Sequence, residues 1–506
     1  MAVNLRRPIL VGGIGLSFSL WLLQSFHDSA GTVGEFSVIG AIALGAGFWF
    51  FQKQTAKELH LPDVSQMDRE TVEKAIAQTE GTISQLEAEA ENHPANAQLR
   101  EKLVKITTEI DRQEMHLAVT GGKSVGKSTL IEVLKSNWVS QQPQKLGLQE
   151  TPALFTATDL TPQPPSRLGK GENCAPFLIG EGLGERSDLV LFVTNGDLTD
   201  PEYQTLQQLA ASKQRAVLVL NKQDRYLPEE RATVLQQLRQ RMQGTLKGED
   251  VVAIAASPSP IKVRQHQPDG SVREWMETPA PEMSAIASRL SQILAQESQQ
   301  LVWATAWRAA YGLKAEAKSA LNEVRRDRAL PVIEQYQWIA AATAFANPVP
   351  ALDLLATAAI NGQLVMDLGN LYQQKFSVQQ AQAIAGTMGS LMLKLGLVEL
   401  TTQTVGGVLK SNAITFVAGG AVQGVSAAYL TRLAGLSLIE YFQAQEAATT
   451  AEGRPLNLDQ LRDTLQKVFQ QNQRVAFLQG FVKQAVGRLV PESPQPAIAG
   501  NEIASC

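Results

Sequence analysis

The stretch that decides the fold is HLAVTGGKSVGKSTLIEVL, residues 116–134. It joins an apolar strand, a glycine-rich loop of the form GxxxxGK[ST] and the first turns of a helix. The loop glycines let several backbone N–H groups point inward, and the helix N-terminus adds its positive end. This combination binds the phosphates of a nucleotide. An ordinary glycine-rich turn would not need the strand, loop and helix in this order.

The predicted phosphate-binding residues are consecutive in the loop and at the start of the helix. They are Gly121, Gly122, Lys123, Ser124, Val125, Gly126, Lys127, Ser128 and Thr129. We expect Lys127 to reach the β- and γ-phosphates. The Ser128 hydroxyl is placed to ligate the Mg²⁺ that accompanies a nucleoside triphosphate.

A second motif indicates which base is bound. The apolar run 215–220 ends in NKQD, where Asn221, Lys222 and Asp224 are the predicted base-binding residues. A carboxylate at 224 can accept hydrogen bonds from the N1–H and amino group of guanine, whereas adenine has no N1–H. Asn221 would hold the base edge, and the Lys222 stem would lie against the purine face. The motif therefore predicts GTP and GDP as ligands, although NKQD alone is often only a polar turn.

Together these residues resemble the Era-like, translation-factor-type P-loop GTPases. The resemblance covers residues 114–265 and implies an α/β fold, a mostly parallel sheet with flanking helices. It also implies a Mg²⁺–GTP site. Ala256 follows the next apolar run, where the Ser-Ala motif of these GTPases supplies a backbone N–H to the guanine O6.

One motif of that family is degenerate here. The run LGLQETPALF, residues 146–155, resembles the strand and DTPGLF motif that senses the γ-phosphate. Glu150 replaces the Asp that holds Mg²⁺ through water, so it is a candidate for a water-mediated contact with the ion. Ala153 replaces the Gly whose N–H meets the γ-phosphate. Leu154 stands where Ras-type proteins have their catalytic Gln, which excludes catalysis by that side chain.

The chain also departs from the family on either side of this motif. Residues 135–149 contain no Thr, so switch I and its strand look deleted, and a Pro- and Gly-rich insertion occupies residues 156–187. Ser124 replaces the Asn of potassium-activated members. The sequence therefore supports nucleotide binding better than hydrolysis, and no catalytic residue is assigned.

The first 57 residues contain two apolar stretches, at residues 9–26 and 33–51. Each is close to the length that spans a bilayer. Basic residues flank the pair, and the turn between the stretches has none, which predicts an integral membrane hairpin with both termini in the cytoplasm, as in a bacterial inner membrane. A cleaved signal peptide is the alternative for the first stretch.

Residues 58–113 are predicted to form a helical stalk or coiled-coil-like hairpin. The mostly apolar positions keep helical spacing over two segments. They are Val72, Ile76, Thr79, Ile83, Leu86, Leu99, Leu103, Ile106 and Ile110. The sequence HPAN, residues 93–96, breaks the pattern, so two helices fold back or form a bent stalk. The stripe is a spacer or a self-association surface.

Behind the GTPase domain we expect a linker and long helices at 266–330. A loop at 265–282 is expected before these helices. An apolar helical domain follows at 331–445, then helices at 446–490 and a disordered tail at 491–506. The motif NPVPALD, residues 347–353, resembles the helical domain of unknown function in YcjF-type bacterial membrane proteins. A bundle with buried Ala faces and insertion into a membrane both fit this composition.

Composition restricts the other functions. The net charge of −4 gives no basic field, so no nucleic acid partner is expected, and two cysteines cannot form a disulfide framework. The expected function is therefore a membrane-anchored GTP-binding protein, a GTP hydrolase with degenerate switches that couples nucleotide binding to assembly. The alternatives are a non-hydrolysing scaffold and a membrane-remodelling or channel-like protein.

Overall fold

The structure is a computed structural model that describes residues 67–152, 154, 187–267, 272–346, 350–403, 420–444, 457–472 and 484. The predicted membrane hairpin, the tail and all of the insertion except its last residue lie outside these residues.

The helices and strands follow one another along the chain. The order is α1 (Arg69–Glu89), α2 (Ala95–Glu109), β1 (Met115–Gly121), α3 (Lys127–Asn137), β2 (Leu146–Glu150), β3 (Leu189–Thr194), α4 (Asp200–Ala211), β4 (Ala216–Leu220), α5 (Pro228–Arg241), β5 (Val251–Ala253), β6 (Ile261–His266), β7 (Val272–Glu277), α6 (Ser284–Ala346), α7 (Pro350–Leu371), α8 (Val378–Lys394), α9 (Gly420–Ala444) and α10 (Leu458–Asn472).

Five strands form one sheet in the order β2-β1-β3-β4-β5, and every neighbouring pair is parallel. Strands β3 and β4 are buried along their whole length, because helices cover both faces of the sheet. The carboxyl ends of parallel strands meet at one edge, where such sheets bind ligands. The α/β fold with flanking helices is therefore as predicted.

The connection between α3 and β2 is unusually short. Residues 138–145 contain one 3₁₀ turn, Val139–Gln141, and no strand. The Trp138 indole N–H donates to the Ser291 hydroxyl at 3.0 Å, and the Gln144 amide donates to the Ser298 hydroxyl at 3.3 Å. The connection is therefore held against α6, and β2 follows directly at the edge of the sheet.

Strands β6 and β7 form a separate antiparallel hairpin, in which Val263 faces Trp275. The predicted loop at 265–282 is therefore wrong, and the predicted domain limit at residue 265 falls inside a strand. Charged residues obscured this pattern, because ion pairs such as that between Lys262 and Glu274, at 2.5 Å, lie across the hairpin.

Helices α1 and α2 pack as a hairpin, one of the two arrangements left open by the sequence. Arg100 on α2 donates two hydrogen bonds to Glu87 on α1, at 2.7 and 2.8 Å. The predicted apolar stripe is buried, and the Thr79 hydroxyl donates to the Ala310 carbonyl of α6 at 3.0 Å. The stripe therefore packs within its own chain, against α6.

Helix α6 has 63 residues, which corresponds to a length of about 95 Å. It passes through Pro331, so the predicted domain boundary between residues 330 and 331 lies inside a continuous helix. Proline removes one backbone hydrogen bond from a helix, and buried apolar residues lie on either side of Pro331 along α6. The first part of α6 packs against the sheet and α1, and its last turns pack against the C-terminal helices.

The C-terminal helices share a second apolar core. It contains residues from the end of α6 and from α7, α8, α9 and α10. Gly435 of α9 lies against Ile333 of α6, where a Cβ would meet the Ile333 side chain at 2.6 Å. The close approach of α9 to α6 therefore requires glycine. Within the described ranges no single helix has the length and apolar character of a membrane span, whereas the bent pair Val378–Lys394 and Leu397–Gln403 passes on those two criteria.

Candidate functional site

The glycine-rich loop joins β1 to α3 with left-handed backbone at two positions. Ser124 has φ +60° and Gly126 has φ +96°. A Cβ at Gly126 would overlap the side-chain nitrogen of Asn221, which comes from the loop after β4. Glycine at this position therefore meets two demands, the backbone conformation and the approach of Asn221.

Lys127 is the first residue of α3, and its side chain is buried beneath the loop. Its ammonium group donates to the carbonyls of Gly121 at 3.2 Å and Gly122 at 2.9 Å. Burial lowers the pKa of Lys127, and the charge of Glu150 partly opposes that shift. The ammonium group has neutral acceptors within the loop and one carboxylate nearby.

Asn221 connects the two predicted motifs. Its side-chain N–H donates to the Val125 carbonyl at 2.9 Å, and its side-chain oxygen accepts from the Ala256 N–H at 3.1 Å. Lys222 has φ +62°. Its ammonium group donates to the Ser124 carbonyl at 2.6 Å. The loop after β4 therefore lies against the glycine-rich loop at residues 121–126, the predicted phosphate loop.

The two carboxylate oxygens of Asp224 differ in their hydrogen bonding. Its Oδ2 accepts from the Ser259 N–H at 3.0 Å, which fixes the carboxylate. Its Oδ1 is buried and has no hydrogen-bond partner among the residues that the structure describes. An unsatisfied buried carboxylate oxygen is costly, so this atom indicates where a donor from a ligand would bind.

Ala256 is placed beside this site, but its N–H already has an acceptor in Asn221. The structure therefore gives Ala256 the task of holding Asn221, not of meeting a base. The next residue, Ser257, is exposed.

Ser128 and Glu150 meet at the carboxyl edge of the sheet. The Ser128 hydroxyl donates to Glu150 Oε1 at 2.9 Å, and Glu150 is the last residue of β2, beside Val119 of β1. Both side chains are exposed. Oxygen ligands are what Mg²⁺ prefers, and at Mg–O distances of about 2.1 Å neighbouring ligands of an octahedron lie about 3 Å apart. The two oxygens therefore fit a Mg²⁺ ion.

The chain after β2 crosses the phosphate loop. The Thr151 N–H donates to the Val119 carbonyl at 3.0 Å, and the Leu154 N–H donates to the Gly121 carbonyl at 3.1 Å. Ala153 and residues 155–186 lie outside the described residues. Leu154 cannot orient water with its side chain, in agreement with the expectation from the sequence.

Sequence reasoning missed two residues near the site. Ser259 holds the Asp224 carboxylate, and nothing in the sequence pattern indicates that contact. Glu202 is buried and lies near Gly122. A Cβ placed on Gly122 would be 3.6 Å from Glu202 Oε1. A capping box with Thr199 at the start of α4 holds Glu202, and the spacing Thr-x-x-Glu was the available signal.

Ion pairs join this fold to α6. Arg215, before β4, contacts Asp250 at 2.6 Å and Glu297 of α6 at 2.9 Å. Burial alone would lower the pKa of Arg215, but hydrogen bonds to Asp250 and Glu297 outweigh it and raise the pKa. Arg289 of α6 also contacts Asp250, at 2.8 Å. The sheet and α6 are therefore fixed to one another.

Comparison with known proteins gives one family match. Residues 310–474 match the family model "Domain of unknown function (DUF697)". The match begins inside α6 and includes the second apolar core. No curated protein matches the chain.

Two solved structures are similar in part. One is "LeoA bacterial dynamin GTPase from ETEC", at 10% identity, with a TM-score of 0.23, 84% of this chain and 95% of that chain covered. The other is titled "An oligomerised bacterial dynamin pair provides a mechanism for the long-range sensing and tethering of membranes", at 11% identity, with a TM-score of 0.22, 87% and 82% covered. Residues 310–474 are therefore a DUF697 domain, the C-terminal domain of YcjF-type proteins, and it follows a parallel five-stranded α/β fold.

Proposed function

We propose that this chain binds GTP and GDP with Mg²⁺ and acts at a membrane. The Asp224 Oδ1, which has no hydrogen-bond partner in the described part of the chain, carries the nucleotide part of this proposal. Guanine offers two N–H donors on the edge that faces such a carboxylate, whereas adenine offers an unprotonated N1. The second carboxylate oxygen is held by Ser259, so the first keeps a fixed position for the base.

The phosphates would bind over the loop between β1 and α3. Lys127 would exchange the Gly121 and Gly122 carbonyls for phosphate oxygens, which are charged and therefore stronger acceptors. Ser128 and Glu150 are the residues that would hold Mg²⁺. When bound, that ion neutralises phosphate charge. The backbone N–H of Ser257 is the nearest candidate for the guanine O6, because Ala256 donates to Asn221.

A change of base preference tests this site. We expect the full-length chain to bind GTP and GDP but not ATP, measured by calorimetry. In Asp224→Asn the amide oxygen can still accept from Ser259, and the amide N–H then faces the base as a donor. This variant should no longer bind GTP and should instead bind xanthosine triphosphate, whose 2-oxo group accepts a hydrogen bond. Equal binding of ATP and GTP by the native chain would contradict the proposal.

Hydrolysis is a separate question. The native chain has Leu154 beside the phosphate loop, and no strand joins α3 to β2. These observations favour slow turnover, and a scaffold that binds without hydrolysis is the second candidate. Single-turnover assays separate the two. Phosphate release that Lys127→Ala abolishes supports an enzyme, whereas tight GTP binding without phosphate release supports a scaffold.

Membrane attachment is proposed from the sequence stretches 9–26 and 33–51. Carbonate extraction should leave the full-length chain in the membrane fraction and release a chain that lacks residues 1–60. Retention of the shortened chain would instead indicate that the helical domain enters lipid, as a remodelling or channel-like protein requires. Nucleotide-linked self-association through that domain should appear as a larger sedimentation coefficient with GTP than with GDP.

A further inference from the structure

We propose that Glu150 binds Mg²⁺ directly, side by side with Ser128, and thereby replaces the ligand that a longer α3–β2 connection would supply. This inference rests on the proposed function, because the ion arrives with the nucleotide. Glu150 would then contact the ion directly, whereas the sequence motif implies a contact through water.

The described connection between α3 and β2, residues 138–145, contains no threonine, aspartate or glutamate, and the hydroxyl of Ser140 donates to the Ser136 carbonyl. Thr151 follows β2, but its hydroxyl donates to the Val119 carbonyl at 3.2 Å and is buried. Glu150 is therefore the anionic side chain that the structure places next to Ser128 in this part of the site.

Glu150 Oε1 and Ser128 Oγ are 2.9 Å apart, close to the spacing of about 3 Å between adjacent ligands of octahedral Mg²⁺. One ion can therefore bind both oxygens once the hydroxyl proton turns away from the carboxylate. An aspartate would be one C–C bond shorter, about 1.5 Å, and would leave room for an intervening water.

The Glu150 carboxylate borders the phosphate loop, because Glu150 lies beside Val119 near the end of β1 and accepts a hydrogen bond from Ser128, the residue after Lys127. Without a metal ion, this carboxylate repels a bound triphosphate. With Mg²⁺ between the two, the same carboxylate is a ligand. Removal of its charge should therefore have opposite effects on GTP binding in the two conditions.

Electron paramagnetic resonance with Mn²⁺ in place of Mg²⁺ tests the direct bond. Broadening by ¹⁷O-labelled water counts the water ligands of Mn²⁺ in the complex with GDP. We expect the native full-length chain to retain one water fewer than Glu150→Asp. Equal water counts in the two proteins would overturn the inference, even if both bind the nucleotide tightly.

Glu150→Gln provides the second measurement. We expect it to bind GTP more tightly than the native chain in EDTA, and about tenfold or more weakly in Mg²⁺. Glu132→Gln, an exposed change of the same charge on α3, is the matched control and should show no reversal. Weakening of similar size in EDTA and in Mg²⁺ would contradict a role in metal binding. If the native chain binds no guanine nucleotide in either condition, the proposed function itself is wrong.

Discussion

The Asn221 side chain donates to the Val125 carbonyl at 2.9 Å and so joins two loops that are 96 residues apart in the sequence. Its oxygen accepts from Ala256, so one amide group holds three segments at the carboxyl edge of the sheet. Asn221 is 2% exposed, so its truncation would remove the partners of a buried Val125 carbonyl and a buried Ala256 N–H.

We therefore expect Asn221→Ala to lower the free energy of unfolding of the nucleotide-free protein by about 1–3 kcal/mol. Affinity for GTP should fall as well, because the phosphate loop and the base loop lose their direct contact. Urea unfolding measures the first effect. Asn195→Ala, an exposed asparagine after β3, is the control and should change stability by less than about 0.5 kcal/mol. Equal effects of the two variants would contradict the role given to Asn221.

Gly126→Ala should abolish nucleotide binding. The new Cβ would occupy the position of the Asn221 amide, and φ is +96° there. Gly244 offers a matched control, because its φ is +85° but a Cβ would have no neighbour within 4 Å.

Both variants carry the cost of a left-handed alanine, about 1–2 kcal/mol. Only Gly126→Ala also displaces Asn221, so only that variant should lose GTP binding by calorimetry. If Gly244→Ala weakens binding equally, backbone strain and not the contact with Asn221 is responsible.

Glu89 should contribute strongly to the attachment of α1 to α6. Its carboxylate accepts from Arg325 at 2.5 Å and from Gln373 at 3.1 Å. Arg325 is 5% exposed, and Glu89→Ala would leave its charge buried without this partner. We expect a loss of about 3–5 kcal/mol in the free energy of unfolding.

The control for this effect is Glu316→Ala. Glu316 pairs with Lys102 at 2.8 Å, but both side chains are half exposed. Exposed ion pairs contribute about 1 kcal/mol or less. In denaturant unfolding, Glu89→Ala should therefore lower the free energy of unfolding several times more than Glu316→Ala. Similar losses would show that the burial of Arg325 does not determine the loss in the free energy of unfolding.

Lys127 should make stability depend on pH at alkaline values. Burial lowers its pKa in the folded protein below the ordinary 10.5. Between the lowered pKa and 10.5 the unfolded chain binds more protons, so the contribution of this group to stability rises with pH. The stability gained by Lys127→Met should accordingly be largest below that window and shrink as pH rises through it.

Unfolding of both proteins from neutral to alkaline pH measures this difference. Lys123→Met, which removes the same charge from an exposed position of the same loop, is the matched control. Bound phosphates favour the charged form of Lys127, so GTP binding above the lowered pKa should take up a proton. Calorimetry in two buffers of different ionisation enthalpy detects this uptake, and its persistence in Lys127→Met would contradict the assignment.

Several features could be predicted from the sequence because their causes are local. The GxxxxGK[ST] spacing requires a strand, a tight loop and a helix, and NKQD follows a strand that is apolar throughout. The stripe at Val72, Ile76 and Ile83 keeps helical spacing, and each of its positions is buried. The missing strand between α3 and β2 followed from the number of residues available.

Other features needed the folded chain. The β6–β7 hairpin was missed because charged pairs across its strands interrupt the apolar alternation. The boundary predicted at residue 330 falls inside α6, which continues through Pro331.

The sequence by itself determined the order of strand, glycine-rich loop and helix and the parallel α/β fold, because backbone sterics and short-range periodicity encode them. Tertiary structure alone decided that the α1 stripe packs on α6, that Asp224 Oδ1 has no partner among the described residues and that Glu150 reaches Ser128. These contacts join surfaces far apart along the chain, and their formation depends on packing and hydrogen-bond distance, which no local pattern contains.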